Sequence, residues 1–108
     1  METYTAETIV QIAKTFNNTD TVLTDATVIK DIINKYNPSC RNVIYKPRKE
    51  LHTCIKEQQP DILVIMKYSE KTFKFTSEIS PKTQIYVLEI DEDEKRISRY
   101  VDELEDMA

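Results

Sequence analysis

The side chains of this sequence that could carry chemistry are few: one histidine, His52, two cysteines, Cys40 and Cys54, and the carboxylates Asp25, Glu89 and Asp91 that follow apolar runs. Carboxylates gathered at neighbouring strand ends would hold a hard divalent cation, so Asp25, Glu89 and Asp91 form one candidate set. The preferred reading makes Asp25 and Asp91 helix caps and Glu89 a solvated strand end, because caps are far commoner than metal sites. Ser or Cys catalysis needs nucleophile, base and orienting acid to converge, and no local spacing supplies His52 with such partners. His52 therefore reads as a helix-surface imidazole. A zinc site would have to combine Cys40, His52, Cys54 and a carboxylate, and two small buried thiols are the favoured alternative. The chain contains no glycine. Phosphate-cradling loops depend on glycine for positive φ and close backbone approach, so Walker-type and dinucleotide-binding loops are excluded, as is a G-x-S-x-G nucleophile elbow.

A further pattern joins Pro60-Asp61 to Glu89-Ile90-Asp91, 28 positions from Asp61 to Glu89. It resembles the PD-(D/E)xK nucleases, and the resemblance implies that Asp61 and Glu89 would bind Mg²⁺ while a lysine orients the attacking water. Asp91 stands where that lysine belongs, so the role would pass to Lys67 or Lys46. This divergent metal-dependent nuclease, with Asp61, Glu89, Asp91 and Lys67 as its site, is the alternative to a non-catalytic reading.

These residues must be positioned by elements that the hydrophobic pattern predicts. Pro60-Asp61-Ile62-Leu63-Val64-Ile65-Met66 contains a continuous apolar run too short for a buried helix, the pattern of a strand covered on both faces of a parallel sheet. Strands are also expected over 42–46 and 83–90, and a short strand or a loop over 20–24. Helical spacing of Ile9, Val10, Ile12, Ala13 and Phe16 predicts a helix capped by Thr5 and ended at Asn17-Asn18, with asparagine taking the left-handed position. A second helix, capped by Thr24 or Asp25, runs to Tyr36 with Val28, Ile29, Ile32 and Ile33 inward. A third follows Pro47 as its first residue and buries Leu51, Cys54 and Ile55. Residues 67–81 alternate like a strand at Thr72–Thr76, yet a parallel partner strand requires a crossover, so a helix or irregular crossover capped at Ser69 is expected. A last helix is expected over 91–107, with Ile97, Tyr100, Val101 and Leu104 as its apolar stripe. The alternation predicts one small three-layer α/β domain, 1–108, its parallel or mixed sheet of three to five strands flanked by helices.

From Thr21 to Leu104 the chain resembles a response-regulator receiver, or more broadly a flavodoxin-like domain, with residues 1–18 as an added N-terminal helix. Val22-Leu23-Thr24-Asp25 opens a helix, Pro60–Ile65 forms the central strand, and Ser80–Leu88 sits where that family has its fourth strand. The chemistry of the family is missing. Met66 stands in place of the phosphoacceptor aspartate, Thr24 in place of one acid of the pair, and the fifth strand with its lysine has no counterpart. The resemblance thus implies a regulatory surface without phosphoryl transfer.

Composition narrows the partners. The hydrophobic share of 40% is enough for a core, and the net charge of −4 argues against a general nucleic-acid or anionic-membrane surface. The acidity is local: 91–108 hold eight acidic and three basic residues, a balance of −5, while 1–90 hold 12 basic and 11 acidic, a balance of +1. An outward face with Glu92, Asp93, Asp102, Glu103 and Asp106 is therefore a candidate contact for a basic protein partner, or for self-association. A solvated helix face is the commoner use of such residues. No cofactor is expected. With neither a leader nor an apolar run of the ~20 residues that span a bilayer, an intracellular, reducing setting is the expectation. The abundance of Ile, Lys, Thr and Asn points to an AT-rich coding source such as a virus or mobile element.

Overall fold

The computed structural model describes residues 3–4 and 6–88. These form β1 (Thr3–Tyr4), α1 (Ala6–Thr15), β2 (Thr21–Thr24), α2 (Thr27–Tyr36), β3 (Asn42–Tyr45), α3 (Arg48–Gln58), β4 (Ile62–Ile65), α4 (Glu70–Ile79) and β5 (Gln84–Leu88). All pairings are parallel and the strand order is β1-β5-β4-β2-β3. The α/β architecture expected from the alternating pattern is therefore the one observed. Four full strands carry the sheet, and the two-residue β1 adds to the edge of β5 through Thr3↔Val87 and Tyr4↔Leu88. The segment 20–24, read as a strand or a loop, is a central strand between β3 and β4.

β4 is buried at all four positions because helices cover both faces of the sheet. Side chains alternate across a strand, so Val22, Ile62, Val64 and Leu88 join Ile9, Ala13, Ile29 and Ile33 of α1 and α2. Leu23, Leu63, Ile65 and Val87 join Leu51, Cys54 and Ile55 of α3 on the other face, with Phe75 of α4 packed against them. Cys40 lies in the first cluster and Cys54 in the second, so the sheet separates the two thiols. Burial raises the pKa of both; Asp20 adds to the effect at Cys40, and Lys46 opposes it at Cys54 while Glu57 adds to it.

Residues 70–79 are helical, and the alternation at Thr72–Thr76 yields to helical spacing that buries Thr72 and Thr76. Ser69 caps the helix, its Oγ accepting from the Thr72 N–H at 3.3 Å, and the Thr76 hydroxyl donates to the Thr72 carbonyl at 2.7 Å. Three end signals differ from expectation. Ala26, not Thr24 or Asp25, is the N-cap of α2 and makes no side-chain capping bond. Pro47 precedes α3 as its N-cap instead of starting it. The left-handed residue is Gln59 at the end of α3, φ 43°, whereas neither Asn17 nor Asn18 has positive φ. The last carbonyls of α1 are satisfied from the neighbouring helix instead: Asn37 Nδ2 donates to both Ala13 O and Phe16 O at 2.9 Å. A left-handed turn at Asn17-Asn18 is then not needed to satisfy them. The Thr5 cap and the helix expected over 91–107 lie outside the described residues.

Candidate functional site

In doubly wound sheets, ligands bind beyond the carboxyl ends of the strands where the winding changes direction. Here the chain leaves β2 for β3 on one side and crosses back to β4 on the other, so that point is the carboxyl end of β2. The residue there is Asp25. Its Oδ1 accepts from the Met66 N–H at 3.0 Å, and its Oδ2 accepts from Arg48 Nε at 3.0 Å. The guanidinium Nη2 donates in turn to the Lys67 carbonyl. The Asp25 side chain is only 3% exposed and that of Arg48 46%, so the carboxylate is closed off from solvent beneath a half-exposed guanidinium. Asp25 is thus not the cap of α2, and among the described residues it belongs to no group of three or more His, Cys, Asp or Glu side chains placed to hold a metal ion. Its charge is spent on tying the start of α3 to the loop between β4 and α4.

Lys46 and Lys67 flank this closure. The Lys46 N–H donates to the Thr24 carbonyl at 3.0 Å, one residue before Asp25. Tyr45 and Tyr68 are 37% and 43% exposed, and Tyr68 lies 6.4 Å from Phe73 between ring centroids.

Asp61 is at the opposite, amino edge. Its Oδ2 accepts from the Thr21 N–H at 2.8 Å, its own N–H donates to the Thr21 carbonyl at 2.9 Å, and its carbonyl accepts from the Gln84 N–H at 2.9 Å. It therefore fastens the starts of β2, β4 and β5 together. The Thr21 N–H holds its carboxyl below the ordinary value, burial opposes this, and Lys82 at 3.5 Å pulls in the same direction as the N–H. The whole of β4 separates Asp61 from Lys67, on the order of 15 Å at about 3.3 Å per residue. Asp61 and Lys67 are therefore not brought together, because Asp61 precedes β4 and Lys67 follows it. Glu89, Asp91, Glu92, Asp93, Asp102, Glu103 and Asp106 lie outside the described residues.

His52 is less free than a surface imidazole. It is half-buried, its Nε2 is 3.0 Å from Thr72 Oγ1, and its ring stacks on Phe75 at 4.5 Å and 6°. An open groove of about 560 Å³ beside it is lined by His52, Thr53, Lys56, Glu57 and Phe75. Among the described residues no group of three or more His, Cys, Asp or Glu side chains is placed to hold a metal ion, and no helix is long and apolar enough to cross a membrane. The zinc combination of Cys40, His52 and Cys54 fails because the sheet stands between the two thiols.

Arg48 was invisible as a site residue in sequence because its partners are 23 positions before it and 19 after it. One signal was present. Arg48 and Lys49 open α3, where the positive end of the helix dipole disfavours cations.

Comparison with protein families, with curated proteins and with solved structures finds no match to this chain.

Proposed function

We propose that this chain is a non-catalytic interaction and regulatory module on a receiver-like, flavodoxin-like frame. Counted from β2, the order β3-β2-β4-β5 is the 2-1-3-4 part of the flavodoxin-like winding, and β1 occupies the outer edge beside β5 where a fifth strand would stand. The observation that carries the reading is the closure at the switch point. Asp25, the acid retained from the receiver pattern, is held by Arg48 and the Met66 N–H, and Met66 stands in the acceptor position. A switch point whose acid is taken up by an internal ion pair is better suited to presenting a surface than to binding a small substrate. Partners fitting that surface are other proteins, including a second copy of the chain.

The experiment is an amide-resolved NMR titration with Mg²⁺ plus beryllofluoride and then with Mn²⁺, alongside light scattering over a range of protein concentrations. The reading expects unchanged Asp25 and Met66 resonances and a mass that rises with concentration. A monomer that binds Mn²⁺ at micromolar levels, loses it in Glu89→Ala and cleaves a phosphodiester would overturn it in favour of the nuclease.

A further inference from the structure

The carboxyl edge of the sheet gathers basic side chains from two connections. Loops and last helical turns at the amino edge carry Lys14, Lys35, Arg41, Lys56 and Lys82 against Asp20, Glu57, Asp61 and Glu78, with Asp61 and Lys82 paired. At the carboxyl edge, the β3–α3 and β4–α4 connections with the first helical turns carry Lys46, Arg48, Lys49, Lys67 and Lys71 against Glu50 and Glu70, and β2 adds Asp25. Asp25 is taken by Arg48, and Glu70 by Lys74 at 3.1 Å. Lys46, Lys49, Lys67 and Lys71 have no carboxylate partner among the described residues.

Two further features mark this edge. Tyr45 and Tyr68 are the exposed large hydrophobic side chains of the described residues, and each adjoins one of these lysines in sequence, as Tyr45-Lys46 and Lys67-Tyr68. Arg48 ties the two connections together, so both pairs stand on one braced platform. Arg48, Lys49 and Lys71 also occupy first helical turns, where a cation is unfavourable. An anionic partner would relieve that repulsion.

Resting on the interaction reading above, we propose that this basic platform binds the acidic C-terminal sequence of a second copy of the chain. The sequence 91–108 carries −5 against +1 for the rest of the chain, so each copy contains both complementary halves. Pairing of unlike patches is heterologous, which allows rings or open chains as well as dimers. Attraction between exposed charges of this kind is screened by salt.

The test is sedimentation of the full chain at about 0.01 M and about 1 M ionic strength, between which the Debye length falls from roughly 30 to roughly 3 Å. Association at low salt and monomer at high salt is expected. Two variants carry the decision: Lys46→Glu with Lys67→Glu on the platform, and Asp102→Lys, Glu103→Lys and Asp106→Lys in the acidic sequence. Each alone, folded by circular dichroism, is expected to be monomeric, and an equimolar mixture to associate, because the reversed patches complement one another. Lys46→Gln with Lys67→Gln replaces the first variant if it does not fold, with at least a tenfold weaker association expected. A wild type monomeric at low salt, association indifferent to salt, or a mixture that stays monomeric overturns the proposal. Association indifferent to these charges would leave the interaction module standing with another surface, whereas Mn²⁺-dependent cleavage would remove the module itself.

Discussion

At the scale of single residues, two constrained carboxylates among the described residues hold structure in place. Asp25 is nearly inaccessible and depends on Arg48 for its counter-charge. Truncation as Arg48→Ala would leave a buried carboxylate with the Met66 N–H alone. A loss of about 1–3 kcal/mol is expected, less than for a fully buried pair because the guanidinium is half exposed. Urea midpoints measure it; a change below about 0.3 kcal/mol would mean that water replaces the guanidinium at no cost. Asp61 sets a pH dependence. Its folded pKa is depressed by the Thr21 N–H and by Lys82, so its contribution is present above the unfolded carboxylate value of about 3.9 and is lost as pH falls through the lower folded value. Since the side chain is 38% exposed, the size should stay within the roughly 1 kcal/mol of surface pairs. Asp61→Asn is expected to flatten the acid limb of stability below about pH 4 and leave it elsewhere little changed. An unaltered limb in urea melts from neutral to acid pH would remove Asp61 from the account.

Elements show how a chain without glycine ends its helices. Gln59 takes the left-handed conformation, φ 43° and ψ 66°, and its N–H donates to the Ile55 carbonyl at 2.9 Å to close α3. A residue with a Cβ pays about 1 kcal/mol for that conformation. Gln59→Gly should therefore raise stability by about 0.5–1 kcal/mol, read as a higher melting temperature with unchanged far-UV dichroism. A lower melting temperature would show that the Gln59 side chain or the stiffer unfolded chain matters more than the turn. Element types were legible because hydrophobic spacing is a local property. The inward faces of α1, α2 and α3 contain the residues that their periodicity indicates, and β4 is covered on both sides as its apolar run indicates. Element ends were less legible. Asn37 caps α1 from another helix, and a capping bond across 24 and 21 positions leaves no local trace.

At the scale of the whole molecule, the gathering of lysines at one edge is the property that the fold creates. Lysines dispersed through two connections come to one edge because the described strands run parallel and the helix after each begins at the same side. The association expected of that edge belongs to this scale, since no single connection carries it. The amino-acid sequence by itself determined the alternation of strands and helices, the α/β class, the exclusion of glycine-dependent phosphate loops and the confinement of acidity to 91–108. Each follows from composition or from periodicity over a few residues. Only the tertiary structure decided that 20–24 is a central strand, that Thr3–Tyr4 joins the sheet beside β5, and that Cys40 and Cys54 lie on opposite faces. It also placed Asp61 at the amino edge and gave Asp25 to Arg48. Strand order and the partners of a buried charge depend on contacts between residues about 20 to 85 positions apart, and local pattern does not encode which of several similar strands will be neighbours.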